Sequence, residues 1–204
     1  MAVNRELYLE FERIGRALYI AGLQNTHSGN MSVRVGNRML ITRRGSMLGF
    51  LEPDDIVEVS IEKPDGMLSI ASTESHVHAA IYRETDALAV IHAHLIAATA
   101  LTILSDEDEI IPIDVEGAYH TRRVPVVEFE FGSGSEEMAR VIPKYLKNYP
   151  IIMIKGHGAV AAADTLEEAA FYCSSLENSA KMILAVLHAG RDPKEFIPER
   201  FEKW

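Results

Sequence analysis

Cysteine is almost absent. Cys173 stands alone among 204 residues, so no intrachain disulfide can staple the fold. No uncharged apolar run reaches the ~18 residues that a membrane-spanning helix needs. Basic charge is in deficit, with 20 Lys and Arg against 30 Asp and Glu and a net charge of −10. A chain this acidic exerts no overall pull on nucleic acid or anionic lipid, so a phosphorylated ligand must be held by local groups. Neither GxGxxG nor GxxxxGKS/T occurs, which removes both common nucleotide-phosphate loops. The opening stretch MAVNRELYLEFERIG lacks the apolar centre of a signal peptide. With the lone thiol, this points to a reducing, cytoplasmic setting.

What is present is an ordinary globular composition, 48% apolar and 25% charged. A chain of this length buries roughly 70% of its unfolded surface, enough for a core without staples. No repeat, low-complexity tract or Pro/Gly/Ser-rich linker divides it, so one domain spanning 1–204 is expected.

Helical spacing of Leu7, Phe11, Ile14 and Leu18 predicts a helix over 5–22. A turn at Thr26–Asn30 precedes two short strands, Met31–Val35 and Met39–Thr42, joined by Gly36-Asn37 as a hairpin. Ile56–Ile61 alternates like a half-solvated strand, and Asp65-Gly66 marks a turn. Glu74–Arg83 and Ala97–Leu104 read as helices on either side of Leu88–His92, an apolar run typical of a strand buried on both faces. Val124–Phe129 reads as a strand and Ser135–Leu146 as a helix. Pro150–Ile154 and Ala159–Ala163 read as strands flanking the turn Lys155-Gly156-His157-Gly158. Thr165-Leu166-Glu167-Glu168 has the form of a capping box and opens a helix to about His188. This irregular alternation, with hairpins early, predicts an α/β protein with a mixed sheet covered by helices.

Four local patterns carry chemistry. His92 and His94 lie two apart at a strand end, so both imidazoles leave the same face and can converge on one ion; two surface histidines at a helix start would read the same. His157 is bracketed by glycines that permit close approach of another group, or it is simply a polar hairpin tip. With the other two it would complete a three-imidazole site with an open position, as in catalytic zinc centres. Ser72-Thr73-Glu74 opens a helix, where free N–H groups and hydroxyls favour an anion; Glu74 there could simply complement the helix dipole. Ser28-Gly29-Asn30 and Thr42-Arg43-Arg44-Gly45 offer backbone N–H groups and arginine for a phosphate, or are two solvated turns.

Taken in order, Gly22-Leu23, Ser28-Gly29-Asn30-Met31-Ser32-Val33-Arg34, Leu40-Ile41-Thr42, Gly45, Ser72-Thr73-Glu74, His78, Tyr82-Arg83, Ala89-Val90-Ile91-His92-Ala93-His94, Ala98-Thr99-Ala100-Leu101, Gly156-His157-Gly158, Leu166-Glu167-Glu168-Ala169 and Leu176-Glu177 resemble the class II aldolase/adducin family. Each piece alone is unspecific; their order over nearly the whole chain carries the likeness. The resemblance implies a three-layer α/β/α fold with a central, mainly antiparallel mixed sheet. It implies a homotetramer with sites at subunit interfaces. It also implies zinc, or another divalent transition metal, on His92, His94 and His157, with Glu74 as neighbouring ligand and catalytic base. Substrate phosphate would sit on Gly29, Asn30, Gly45, Ser72 and Thr73.

The implied reaction is reversible cleavage of a ketose 1-phosphate of the fuculose type into dihydroxyacetone phosphate and a short aldehyde such as L-lactaldehyde. It needs an enediolate stabilised by a Lewis acid and a carboxylate to move the proton. Three positions depart from the family pattern. Arg43-Arg44 replaces a Pro-Thr/Ser pair, with Arg44 adding charge to the phosphate site, and Ala71-Ser72-Thr73-Glu74 replaces Pro-Ser-Ser-Glu. In Asp114–His120 the proton donor to the departing aldehyde falls on Tyr119 or Glu116. Ribulose-5-phosphate 4-epimerase or methylthioribulose-1-phosphate dehydratase chemistry on the same scaffold, and a non-catalytic adducin-like binding module, are the alternatives.

His76 and His78 face apart on their helix, with His78 structural. His27, His120 and His188 are expected at the surface or in packing, and Cys173 is expected to be a buried apolar residue. The tail Arg191–Trp204, with Phe196, Phe201 and Trp204, lies beyond the resemblance and is read as a cover for a neighbouring subunit or the site mouth.

Overall fold

The computed structural model describes residues 4–63, 66–131 and 133–197. Asp65 of the expected turn and the tail aromatics Phe201 and Trp204 lie outside the described residues. The elements in order are α1 (Arg5–Ile20), β1 (Asn30–Val35), β2 (Arg38–Thr42), β3 (Ile56–Ser60), α2 (Ser75–Glu84), β4 (Ala89–Ala93) and α3 (Ile96–Leu104). They continue with β5 (Glu109–Ile110), α4 (Val115–His120), β6 (Val124–Val127), α5 (Glu136–Leu146), β7 (Ile151–Ile154), β8 (Gly158–Ala163) and α6 (Leu166–His188). The strands form one sheet in the order β3-β2-β1-β4-β8-β7-β6-β5. Every neighbouring pair is antiparallel except β6 and β7. This is the expected mixed, mainly antiparallel α/β architecture.

The three layers follow from strand parity. On β4, Ala89, Ile91 and Ala93 face one core while Val90 faces the other. On β8, Ala159 and Ala161 face the first and Val160 the second. The first core is closed by Phe11, Ile14 and Leu18 of α1, by Ala98 and Leu101 of α3, and by Leu176 and Ala180 of α6. The second is closed by Val77 and Ile81 of α2 and Met138 and Ile142 of α5. Both faces are covered, which is why β4 and β7 read as unbroken apolar runs. Fully buried side chains such as Phe11 and Ile142 each contribute about 1.5–3 kcal/mol.

The β1–β2 hairpin turns on Gly36-Asn37, with Val35 paired to Arg38 and Gly36 at φ 62°. Positive φ at the first turn residue matches the right-handed strand twist, and glycine takes it without strain. The capping box of α6 is altered. Thr165 accepts from the Glu168 N–H as expected, but Glu168 reaches back to the Asp164 N–H rather than to that of Thr165. The strand expected to reach Phe129 stops at Val127, where pairing with β7 ends. Two elements in 105–123 lack any periodic signal, namely β5, of two residues, and α4, of six. Among the described residues no helix is long and apolar enough to cross a membrane.

Candidate active site

The site forms where β1, β4 and the β7–β8 turn end together. In register, Asn30 of β1 and Val160 of β8 flank His92 of β4. His94 follows two residues on and returns to the same face. The β7–β8 turn carries His157 over this strand end, with Gly156 at φ 68°. Gly158 lets the strands close, since a Cβ there would stand 2.4 Å from the Ala93 carbonyl oxygen. The three imidazole centroids are 4.6–4.8 Å apart, and one ring nitrogen from each lies within 4.8 Å of the others.

The ring chemistry suits a cation. His92 Nδ1–H donates to the Ala159 carbonyl at 2.9 Å, a group that can only accept, so Nε2 keeps its lone pair. That Nε2 is 3.0 Å from His94 Nε2. Two ligands of a tetrahedral zinc, with bonds near 2.0–2.1 Å, stand ~3.3 Å apart, so the pair needs little adjustment. Burial, with repulsion from His92 and His157, outweighs the attraction of Glu74 and pushes His94 down to about 3. Its imidazole is therefore neutral at pH 7, the form that ligates metal.

Glu74 occupies the N-cap position of α2 but makes no side-chain cap bond. Its carboxylate turns inward instead, and the residue is 4% exposed. Asn30 Nδ2 donates to Oε2 at 2.9 Å, and Ser133 Oγ donates to Oε1 at 3.3 Å. Oε2 stands 3.7 Å from His92 Nε2. Burial works to raise its pKa, but attraction from His92, the Asn30 bond, and the His78 and His157 rings outweigh it and lower it to about 2. The residue is ionised at neutral pH and aimed at the histidines, so complementing the helix dipole is not its main contact.

Backbone bonds bring the three predicted anion-binding segments together. Ser72 N–H donates to Thr42 O at 3.1 Å, and Arg44 N–H to Ile70 O at 2.9 Å. Thr42 Oγ1 accepts from Met31 N–H at 3.2 Å. The segments carrying Gly29-Asn30, Arg44-Gly45 and Ser72-Thr73 thus border one corner next to Glu74. Gly29 and Gly45 sit at φ 77° and 74°, where a side chain would be strained. Ser28 Oγ is buried without a hydrogen-bond partner, and Arg44 is exposed beside Gly45.

Tyr119 and Glu116 both lie on α4. Tyr119 is half-exposed on α4, its ring 4.7 Å from His120, which packs on Phe171 of α6. Glu116 is exposed in the first turn of α4. His78 is structural as expected: its Nδ1 lies 2.7 Å from Ser32 Oγ, which also meets Tyr82 Oη at 2.7 Å. His27 and His188 are exposed, and His120 packs at an edge. Cys173 is buried and its thiol is pushed up to about 12 by that burial. Sequence reasoning assigned no role to Gln24, Ser133 or Glu177, although Leu176-Glu177 is one of the pieces that carry the family likeness. None stands in a chemistry-bearing pattern, and each acts through contacts with distant parts of the chain.

An α/β/α sheet carrying three converging imidazoles beside a buried carboxylate defines a metal-site scaffold of the class II aldolase type. Residues 10–184 match the family described as Class II Aldolase and Adducin N-terminal domain, and the chain belongs to that family. The L-fuculose phosphate aldolase of Methanocaldococcus jannaschii is 31% identical over 176 residues, covering 86% of this chain and 94% of that protein. The 5-methylthioribulose-1-phosphate/5-deoxyribulose-1-phosphate aldolase of Escherichia coli is 30% identical, covering 83% and 79%. The crystal structure of L-fuculose-1-phosphate aldolase from Thermus thermophilus superposes with a TM-score of 0.87 at 34% identity, over 92% of this chain and 97% of that one.

Proposed function

We propose that this chain, folded as one domain, is a metal-dependent aldolase. It would reversibly cleave a ketose 1-phosphate of the L-fuculose 1-phosphate type into dihydroxyacetone phosphate and a short aldehyde such as L-lactaldehyde. The observation that carries the reading is the meeting of His92, His94 and His157 with ionised Glu74 at the corner bordered by the three anion-binding segments. His92, His94 and His157 would hold the cation, with Glu74 as a fourth, displaceable neighbour. A divalent ion there, zinc in our reading, supplies Lewis acidity to the ketose carbonyl and its adjacent hydroxyl.

The remaining steps fall to the chain. Gly29, Asn30, Arg44, Gly45, Ser72 and Thr73 bind the phosphate and fix the sugar's direction. In cleavage the C4 hydroxyl passes its proton to the group that serves the aldehyde oxygen, the C3–C4 bond breaks, and its electron pair remains with the C3 fragment. Glu74 returns a proton to C3; in synthesis it takes that proton away. Asn30 holds the carboxylate in place for both directions. Tyr119 from a neighbouring subunit of a homotetramer would take the C4 hydroxyl proton in cleavage and give it to the aldehyde oxygen in synthesis. We assign the enzyme to the cytoplasm on its lone buried thiol.

The test is an assay of dihydroxyacetone phosphate release from L-fuculose 1-phosphate, with methylthioribulose 1-phosphate and ribulose 5-phosphate as competitors. The Escherichia coli relative's name makes the second substrate the leading alternative. Glu74→Gln should abolish release while the protein still binds about one metal per chain. Near-normal turnover in that variant would sink the proton role.

A further inference from the structure

We propose that Gln24 is a positioning residue that fixes the spacing of His92 and His94 and so sets the affinity of the site for its cation. The inference rests on the metal reading above and goes beyond it, because Gln24 touches no ligand atom. It lies between α1 and β1, beside the stretch beyond His92, where β1 pairing on that edge of β4 has ended. Its side chain supplies the missing pairing. Gln24 Nε2 donates to the His92 carbonyl at 2.9 Å. Its Oε1 accepts from the His94 N–H at 3.4 Å, a donor shared with the Leu23 carbonyl at 3.1 Å. Both ends of the amide are assigned by chemistry, since a carbonyl only accepts and an N–H only donates.

The amide is also locked in place. Gln24 is 5% exposed. A Cβ on Gly29 would fall 2.1 Å from Gln24 Nε2 and 2.4 Å from Oε1, so the amide fills the space that glycine leaves empty. One side chain thereby spans His92 of β4 and His94 just beyond it, and braces them against the turn that begins the anion corner. Beyond His92 the β1-side edge is held by this bridge, while β8 pairs with the other edge as far as Ala93. Without the bridge, His94 keeps only the Leu23 bond on that edge, and the link that ties it to His92 and supports the 3.0 Å approach of the two Nε2 atoms is lost. Outer residues that orient metal ligands typically change affinity by roughly 10–100-fold when removed.

The experiment measures Co²⁺ affinity by chelator competition, and the visible spectrum of the Co²⁺ protein, for wild type, Gln24→Ala, Gln24→Glu and Ile142→Val. Gln24→Glu keeps an acceptor for His94 but sets an oxygen against the His92 carbonyl, so it tests the bridge even if Gln24→Ala folds poorly. Ile142→Val thins the α2–α5 core and controls for plain loss of stability. The expected result is at least about tenfold weaker Co²⁺ binding and an altered spectrum in the folded Gln24 variants, with both unchanged in Ile142→Val. Wild-type affinity and spectrum in the Gln24 variants would overturn the proposal and leave the metal reading standing. If wild type binds no Co²⁺, the metal reading fails and this inference fails with it.

Discussion

Glu177→Ala perturbs the helix that leads away from His94. α3 begins at Ile96 behind Leu95, an N-cap residue that makes no side-chain cap bond. Glu177 on α6 supplies the acceptor from across the core: its oxygens take the Ala97 N–H at 3.0 and 3.1 Å and the Ala98 N–H at 3.1 Å. Glu177 is 2% exposed and the two alanines are buried, so water cannot replace it without rearrangement. Leaving two buried N–H groups unpaired costs ~1–3 kcal/mol each. Relief of carboxylate burial offsets part of this, and the Lys181 ion pair at 3.6 Å, with its lysine half in solvent, adds little. A net loss of about 3–4 kcal/mol remains. For a protein of this size, that lowers Tm by roughly 6–16 °C. Glu177→Gln keeps one acceptor oxygen and should lose about half as much. Thermal unfolding of metal-free protein, followed by circular dichroism, reads both. A Tm in Glu177→Ala within about 2 °C of wild type would refute the capping argument.

Further outcomes follow from the same geometry. Gly29→Ala meets a left-handed φ and the Gln24 amide together, and should destabilise by about 2–5 kcal/mol in urea unfolding; a loss under about 1 kcal/mol would contradict the close packing. His78 is pushed down from 6.5 to about 3 by burial, with His92 and His76 repelling and Glu74 attracting, while Ser32 holds its Nδ1. The unfolded chain takes up that proton near pH 6.5 and the folded one refuses it until about 3, so stability present above 6.5 is lost as pH falls through this window. His78 alone contributes a slope of about 1.4 kcal/mol per pH unit, which His78→Gln should remove in urea titrations run from about pH 6 to about pH 4.5. Zinc at about 100 times its Kd should raise stability by about 2.7 kcal/mol, and EDTA should reverse this in wild type but find nothing to reverse in His157→Ala.

The sheet was legible where one residue pattern sufficed. Gly36-Asn37 between alternating runs announced a hairpin, and the apolar run before His92 announced a strand covered on both faces. β5 and α4 were hidden because they are too short to show a period. α4 exists because Asp114 accepts from the Gly117 N–H and Gly117 packs where a Cβ would strike Ser179. At the site, strand spacing let His92 and His94 share a face and flanking glycines let His157 approach, but each pattern had a plain alternative and only the family resemblance joined the three. The inward turn of Glu74 was not readable from spacing, because a cap and a catalytic carboxylate occupy the same helix position. Gln24, Ser133 and Glu177 were silent for another reason: their partners are distant backbone groups or a side chain on a remote helix.

The strand order has a bearing on how the protein matures on the ribosome. β4 takes β8 as its inner neighbour, although much of the chain separates them. A nascent chain that has released β4 already carries two of the three imidazoles, yet the third arrives only with the β7–β8 turn. Synthesis proceeds from the N-terminus, so one flank of an entirely buried strand waits for its mate until the β7–β8 turn has been made. Until β8 docks, that apolar edge needs shelter from other chains.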